Sequence, residues 1–338
     1  MKVLVTGGCG YIGSHACVAL AKAGHQPIVL DNFSNSNPRV VVRIEKLIEQ
    51  PLIVYQGDIR DRQALKCIFE QHDIDAVMHF AGLKAVGESV AKPLEYYANN
   101  VVGTLNLLAA MRDAHVNRLI FSSSATVYGD PLSVPIAETA TTGATTNPYG
   151  TSKHMVERCL SDFSAANPDW SITLLRYFNP IGAHPSGLIG EDPTGIPNNL
   201  MPFITQVAIG RRDTLSIFGN DYPTSDGTGV RDYIHVQDLV AGHVAALEVR
   251  GHISGLHVYN LGTGNGVSVL DMVAAMNKVL GWELPVRIEP RRAGDIAQCF
   301  AQVAKAEREL GWTANHDLMD MVEHSWNWQQ RNPNGYQF

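Results

Sequence analysis

Glycines 7, 10 and 13, in the run Gly7-Gly8-Cys9-Gly10-Tyr11-Ile12-Gly13, directly follow a short apolar stretch. Backbone N–H groups at a helix N-terminus bind phosphate, and glycines let the backbone come close to it. This strand–turn–helix setting is what a dinucleotide site needs, although the G-x-x-G-x-x-G spacing is slightly longer than the common dehydrogenase fingerprint. Asp31 lies about twenty residues beyond the loop, where a carboxylate hydrogen-bonds ribose hydroxyls and repels a 2′-phosphate, so NAD is expected over NADP. Tyr149 and Lys153 stand four residues apart, one turn apart on one face of a helix. A free tyrosine has a pKa of about 10, too high for a base near neutrality. A nearby ammonium and a positive nicotinamide would favour the phenolate. Ser122-Ser123-Ser124 offers hydroxyls to a substrate oxygen, though serines at strand ends also serve as caps. Cys9, inside the loop, is either a thiol acidified by the helix N-terminus or a small side chain that the turn tolerates.

These residues need a scaffold, and the apolar pattern supplies one. Val3-Leu4-Val5, Ile28-Val29-Leu30, Ile53-Val54-Tyr55 and Ala76-Val77-Met78-His79-Phe80 read as buried strands, as do Leu119-Ile120-Phe121 and Ile172-Thr173-Leu174-Leu175. Helices are expected between them, at residues 11–23 with Gly24 as the stop, 62–72 and 94–114. Pro148 suits the start of a helix carrying Tyr149 and Lys153. Such alternation builds a doubly wound parallel α/β sheet of the Rossmann type. Asp58 after the third strand, and Phe80, Ala81 and Gly82 after the fourth, fall at carboxyl ends of strands, where ligands sit in such sheets. Asp58 is expected at the adenine. Beyond Phe178 the chain is rich in Gly, Pro, Asn and Asp, with one convincing helix at 200–210. A smaller, discontinuous C-terminal α/β domain is expected, with 1–178 plus 232–261 forming the NAD-binding domain and 179–231 plus 262–338 the substrate domain.

The 338 residues carry a net charge of -7, with 45% hydrophobic and 17% charged residues. That is the profile of a globular chain with a real core, and without a basic block nucleic acid is not an expected partner. No apolar stretch is long enough to span a bilayer, and the N-terminus lacks a signal-peptide pattern. Five cysteines without a C-x-x-C pair point to free thiols in a reducing, cytoplasmic setting. The thirteen histidines look scattered, so no metal site is expected.

The whole chain resembles the extended short-chain dehydrogenase/reductase superfamily, and within it the UDP-glucose 4-epimerase family. The segments that carry the likeness are VTGGCGYIG from Val5, HFAGLKAVGESVAKP from His79, SSSATVYG from Ser122 and NPYGTSK from Asn147. More specific are RYFNPIGAHPSG from Arg176, PNNLMP from Pro197 and FGNDYPTSDGTGVRDYIHVQDL from Phe218. The resemblance implies an NAD-dependent isomerase acting on UDP-glucose and UDP-galactose through a 4-keto sugar. Tyr149 would be the base, Lys153 would hold the nicotinamide ribose and keep Tyr149 acidic, and Ser124 would order the proton transfer. It adds Asn32, Ser34, Asn35, Ser36, Ile59, Lys84, Asn99, Ser122 and Phe178 to the cofactor set. For the sugar nucleotide it implies Asn179, Asn199, Leu200 and Ser216, with Arg231 and Arg292 on the diphosphate, Asp295 at the uridine ribose and Phe218 by the uracil.

Two positions depart from the family pattern. Gln302 stands where relatives often carry Asp, and Cys299 occupies a position that varies between a bulky aromatic and a small residue. A small residue there implies room for an acetamido group, hence activity on UDP-GlcNAc and UDP-GalNAc. Sugar-nucleotide dehydratases and decarboxylases of the superfamily carry Asp-Glu or Glu after the catalytic Thr or Ser, whereas Ser124 is followed by Ala125-Thr126. A non-catalytic NAD(H)-sensing regulator would not need the Tyr149/Lys153 pair. The helices around 94–114 and 149–165 carry apolar residues beyond one face, which implies a homodimer.

Overall fold

The computed structural model describes residues 1–193, 195, 197–292 and 294–336. Its centre is a seven-stranded sheet. Six strands come in chain order: β1 (Lys2–Thr6), β2 (Gln26–Asp31), β3 (Ile53–Gln56), β4 (Ala76–His79), β5 (Arg118–Ser124) and β6 (Ser171–Tyr177). The seventh, Gly255–Leu261, pairs with β6, and the spatial order is β3-β2-β1-β4-β5-β6 followed by that strand. All neighbours are parallel. Strands with helices on both faces must be apolar on both sides, and β1, β2, β4 and β6 are buried almost throughout. The chain winds outward from β1 to β3, then jumps back to lay β4 on the other side of β1. That reversal opens a crevice at the carboxyl ends of β1 and β4.

The helix Tyr11–Lys22 stops where expected, with Gly24 at φ +78°. Pro148 is the first residue of the helix Pro148–Ala166, and the Asn147 side chain caps it by accepting from Gly150 N–H at 2.9 Å. The stretch expected as one helix over 94–114 is instead three pieces: Pro93–Tyr96, a π-helical turn at Tyr97–Val102, and Gly103–Asp113. Tyr233–His235 pairs with Asn179–Ile181 as a short parallel strand, and the helix Val236–Arg250 follows it directly. The Gly255–Leu261 strand then returns the chain to the main sheet.

A separate apolar cluster joins Met201, Ile204 and Val207 to Leu215, Ile217, Met272, Met276, Met321 and Val322. It supports a two-stranded parallel sheet of Leu215–Phe218 with Val286–Glu289, and a three-stranded one of Val267–Ser268, Val230–Arg231 and Gln298–Cys299. Ala306, Leu310 and Trp312 pack instead into the core of the large sheet. No described helix is long and apolar enough to cross a membrane.

Candidate active site

The glycine loop turns at the end of β1 and has no room for a side chain at Gly7 or Gly13. Gly7 has φ +70°, and a Cβ on it would lie 2.7 Å from Ala81 N; one on Gly13 would lie 2.1 Å from Gly7 O. The following helix starts at Gly10 without a side-chain cap, so its first N–H groups remain available to phosphate. Asp31 closes this loop from β2, accepting from Cys9 N–H at 2.9 Å, Phe33 N–H at 2.9 Å and the Ser36 hydroxyl at 2.8 Å. Burial, with Asp31 next to it, pushes the Cys9 thiol well up, so the acidified-thiol reading of Cys9 does not hold.

His79, at the end of β4, fixes the other wall of the crevice. The Thr104 hydroxyl donates to Asn100 O at 2.6 Å, so it accepts from His79 Nε2–H at 2.9 Å. His79 Nδ1 then accepts from the Thr6 hydroxyl at 2.6 Å, and burial holds the ring neutral, its pKa pushed down to about 3. The π turn delivers Asn99 and Asn100. Asn100 grips both backbone groups of Leu83, at 2.8 and 2.9 Å, and also reaches the Ser152 hydroxyl at 2.9 Å. No spacing in the sequence announces this clamp, because a π turn adds a residue that the apolar period does not show.

Tyr149 and Lys153 stand one turn apart on their helix. Lys153 Nζ donates to Ser122 O at 2.6 Å and lies 4.8 Å from the Phe121 ring centroid. Burial lowers its pKa to about 8, opposed by the Glu157 carboxylate one turn further on. Tyr149 lies beside Ser124 in the cavity wall, and the Ser124 hydroxyl accepts from Thr126 N–H at 3.2 Å and from the Thr126 hydroxyl at 2.9 Å. The phenol does not become acidic through the protein alone. Burial pushes Tyr149 above its ordinary value, and Ser124 beside it pulls it partly back.

One cavity of about 510 Å³ collects most of the expected site. Its wall holds Gly7, Gly10, Tyr11, Ile12, Gly13, Asp31, Asn32, Ser34, Asn35, Ser36, Ile59, Phe80, Ala81, Gly82, Lys84, Asn99, Ser122, Tyr149, Lys153 and Phe178. It continues through Ser124, Asn179 and Asn199 to Arg231, Arg292, Asp295 and Cys299. Asp58 is not in the wall, which its neighbours Gly57 and Ile59 form. Its carboxylate is taken by the Arg60 guanidinium at 2.7 and 2.9 Å and by Asn32 at 2.9 Å, and Arg60 holds its pKa well below the usual range.

Leu200, Ser216 and Phe218 also lie outside the wall. Leu200 packs against the smaller apolar cluster. On the strand Leu215–Phe218, Leu215 and Ile217 are the buried pair, so alternation turns Ser216 and Phe218 the other way. Phe218 supports the site from below, since the Arg292 guanidinium lies 4.8 Å from its ring centroid and donates to Asp295 at 2.9 Å. Thr126, Asn147, Asn198 and Glu191 line the cavity as well.

Three histidines that look scattered in sequence come together as His235, His316 and His324. His235 Nδ1 accepts from Gln237 N–H at 3.0 Å, so its proton is on Nε2 and is donated to His324 Nδ1 at 2.9 Å. Both His235 nitrogens are thereby engaged, and it has no lone pair left for a metal.

A model of the NAD dependent epimerase/dehydratase family matches residues 3–262. The UDP-glucose 4-epimerase of Yersinia pestis is 59% identical over 336 residues, covering 99% of both chains. The UDP-glucose 4-epimerase of Bifidobacterium longum, solved in complex with NAD+ and UDP, is 53% identical with a TM-score of 0.96, covering 99% of this chain and 100% of that one. The enzyme of Stenotrophomonas maltophila, solved with NAD and formylated UDP-arabinopyranose, is 52% identical with a TM-score of 0.96 over 98% and 99% of the two chains. With a cavity that joins a dinucleotide loop to a Tyr–Ser–Lys group, and with identity running the length of the chain, the protein belongs to the NAD dependent epimerase/dehydratase family, among its UDP-glucose 4-epimerases.

Proposed function

We infer that this chain interconverts UDP-glucose and UDP-galactose as an NAD-dependent 4-epimerase. The observation that carries this reading is one cavity whose wall holds the glycine loop and Tyr149, Ser124 and Lys153 together with Arg231 and Arg292. NAD, which the glycine loop and Asp31 would hold, would supply a reversible hydride acceptor for the sugar C4. Tyr149 receives the proton of the 4-hydroxyl and later returns it, and Ser124 holds the oxygen through both transfers. Lys153 places a positive charge beneath the reacting centre. Arg231 and Arg292 grip the diphosphate, so the sugar can turn over while tethered and present either face of its C4. No atom is gained or lost overall. The test is turnover of UDP-galactose to UDP-glucose without net NADH; accumulation of NADH or of a dehydrated sugar overturns the reading.

Asp31 is proposed to select NAD, with no basic residue among Asn32, Phe33 and Ser34 to meet a 2′-phosphate. Cofactor released on denaturation is expected to be NAD, and NADP in that pool contradicts the role of Asp31.

We propose further that UDP-GlcNAc and UDP-GalNAc are also substrates. Cys299 lines the cavity in register beside Arg231, and a thiol leaves space that a large aromatic would fill. Phe300, the residue best placed to refill it, packs instead 3.2 Å from the position of a Cβ on Gly266. Removing a steric wall removes the penalty against the larger substrate. The wild type is expected to act on both pairs and Cys299→Tyr on the plain pair alone. A wild type inactive on UDP-GlcNAc refutes the proposal, and a tyrosine variant that retains that activity refutes the role of Cys299.

We propose a homodimer in the cytoplasm, supported respectively by an apolar surface and by five free cysteines. Val90, Leu94, Val102 and Leu105, with Met155 from the Tyr149 helix, are all exposed, Leu94 at 77%. Light scattering is expected to give twice the 36.9 kDa chain mass; the monomer mass at micromolar concentration would sink the proposal. The division into 1–178 plus 232–261 and 179–231 plus 262–338 is likewise proposed, with the cavity between the two parts.

A further inference from the structure

Glu191 belongs to neither the cofactor set nor the sugar-nucleotide set, yet it joins them. Its Oε1 accepts from Lys84 Nζ at 3.1 Å and from Asn199 Nδ2 at 2.7 Å. Lys84 stands on the loop after β4, its ammonium 5.9 Å from the Tyr11 ring centroid. Asn199 precedes the helix Leu200–Ala208 and lines the same cavity.

The backbone that carries Glu191 is fixed on every side. The Trp328 indole donates to Glu191 O at 3.2 Å, the Tyr336 hydroxyl donates to Gly190 O at 3.1 Å, and Tyr336 N–H donates to the Asp192 carboxylate at 2.9 Å. A Cβ on Gly190 would lie 2.4 Å from the Trp328 ring, so the chain runs flat against the indole. A side chain on such a base is preorganised.

The chemistry follows from what each partner has left. A primary amide carries two donors and one acceptor on a plane. With one Asn199 proton committed to Glu191, the amide cannot flip, and Oδ1 is the end free to accept from a ligand hydroxyl. A carboxylate facing the cavity would by itself repel a diphosphate, and the Lys84 ammonium cancels that charge at close range.

We propose that Glu191 is a positioning residue that uses the cofactor-side Lys84 to hold the sugar-nucleotide-side Asn199 in its binding orientation. This rests on the 4-epimerase reading. Because Glu191 acts before chemistry, its loss falls on KM and not on kcat.

The test combines steady-state kinetics on UDP-galactose with calorimetry of UDP binding to the NAD-loaded enzyme. Glu191→Ala is expected to weaken UDP binding and raise KM by about tenfold or more, the size of a hydrogen bond to a charged group. Glu191→Gln conserves volume and an acceptor for Asn199, and is expected to restore KM to within about threefold of wild type if orientation is the function. Combining Glu191→Ala with Asn199→Ala should cost no more than Asn199→Ala alone, since residues acting through one another are not additive. An unmoved KM in Glu191→Ala, strict additivity, or a loss confined to kcat overturns the proposal. A wild type that does not turn over UDP-galactose defeats the epimerase reading itself, an outcome separate from any of these.

Discussion

Tyr149→Phe lowers turnover of UDP-galactose by ~10²–10⁴-fold, the range for loss of a general acid–base group, and leaves UDP binding at its wild-type strength. The hydroxyl removed is the one beside Ser124, and Arg231 and Arg292, the proposed ligands of the diphosphate, are other residues of the cavity wall. The change therefore acts on the proton transfer and not on docking. Burial holds the phenol of the free protein above its ordinary pKa, and Lys153 donates one of its three protons to Ser122 O. The protein thus keeps Tyr149 protonated until a positive nicotinamide is nearby, which ties its basicity to the loaded site. Single-turnover reduction of bound NAD by UDP-galactose checks the step directly. A variant retaining more than about a tenth of wild-type turnover lies outside that range and refutes Tyr149 as the base.

Arg176→Met destabilises the fold by about 3–5 kcal/mol, the cost of stranding a buried charge. Arg176 on β6 and Glu157 on the Tyr149 helix are each 6% exposed and paired at 2.7 and 2.9 Å. Ser123 donates to the same carboxylate at 2.5 Å, and Arg176 also reaches the Tyr128 hydroxyl at 3.0 Å. Removing the guanidinium leaves Glu157 without its counter-charge in the core, directly behind Lys153. Adding Glu157→Leu to Arg176→Met removes both charges and is expected to recover most of the loss, because a buried pair gains little over packed apolar groups. The measurement is the thermal unfolding midpoint at fixed protein and NAD concentration. An unmoved midpoint in Arg176→Met refutes the argument.

The glycine loop, the strands of the parallel sheet and the Tyr149/Lys153 pair were legible because each is a local pattern with one physical meaning. Continuous apolar runs mark strands covered on both faces, and Gly7 and Gly13 stand where no Cβ fits. The substrate wall was legible chiefly through resemblance. Arg231, Arg292 and Cys299 come from short strands and loops with no period of their own. Asp58 carries a pairing that its place at a strand end does not announce: its own turn supplies Arg60, which meets the carboxylate at 2.7 Å. Glu191, Asn100 and the His235 group depend on partners far along the chain, Asn100 gripping Leu83 and His235 meeting His324. Contacts of that kind leave no local pattern to read.

The π turn at Tyr97–Val102 has a consequence of phase. One extra residue in a helix rotates everything after it by about 100° relative to everything before. Gly103, just beyond the turn, lies where a Cβ would meet Ile59 at 2.5 Å, while Asn99 looks into the cavity and Leu94 and Leu105 into solvent. The turn thus works as a gear between two faces that a regular helix could not index together. Deleting a single residue from it would leave the rod intact but turn Gly103 and the apolar outer face out of step with the cavity, so length here is as tightly specified as sequence.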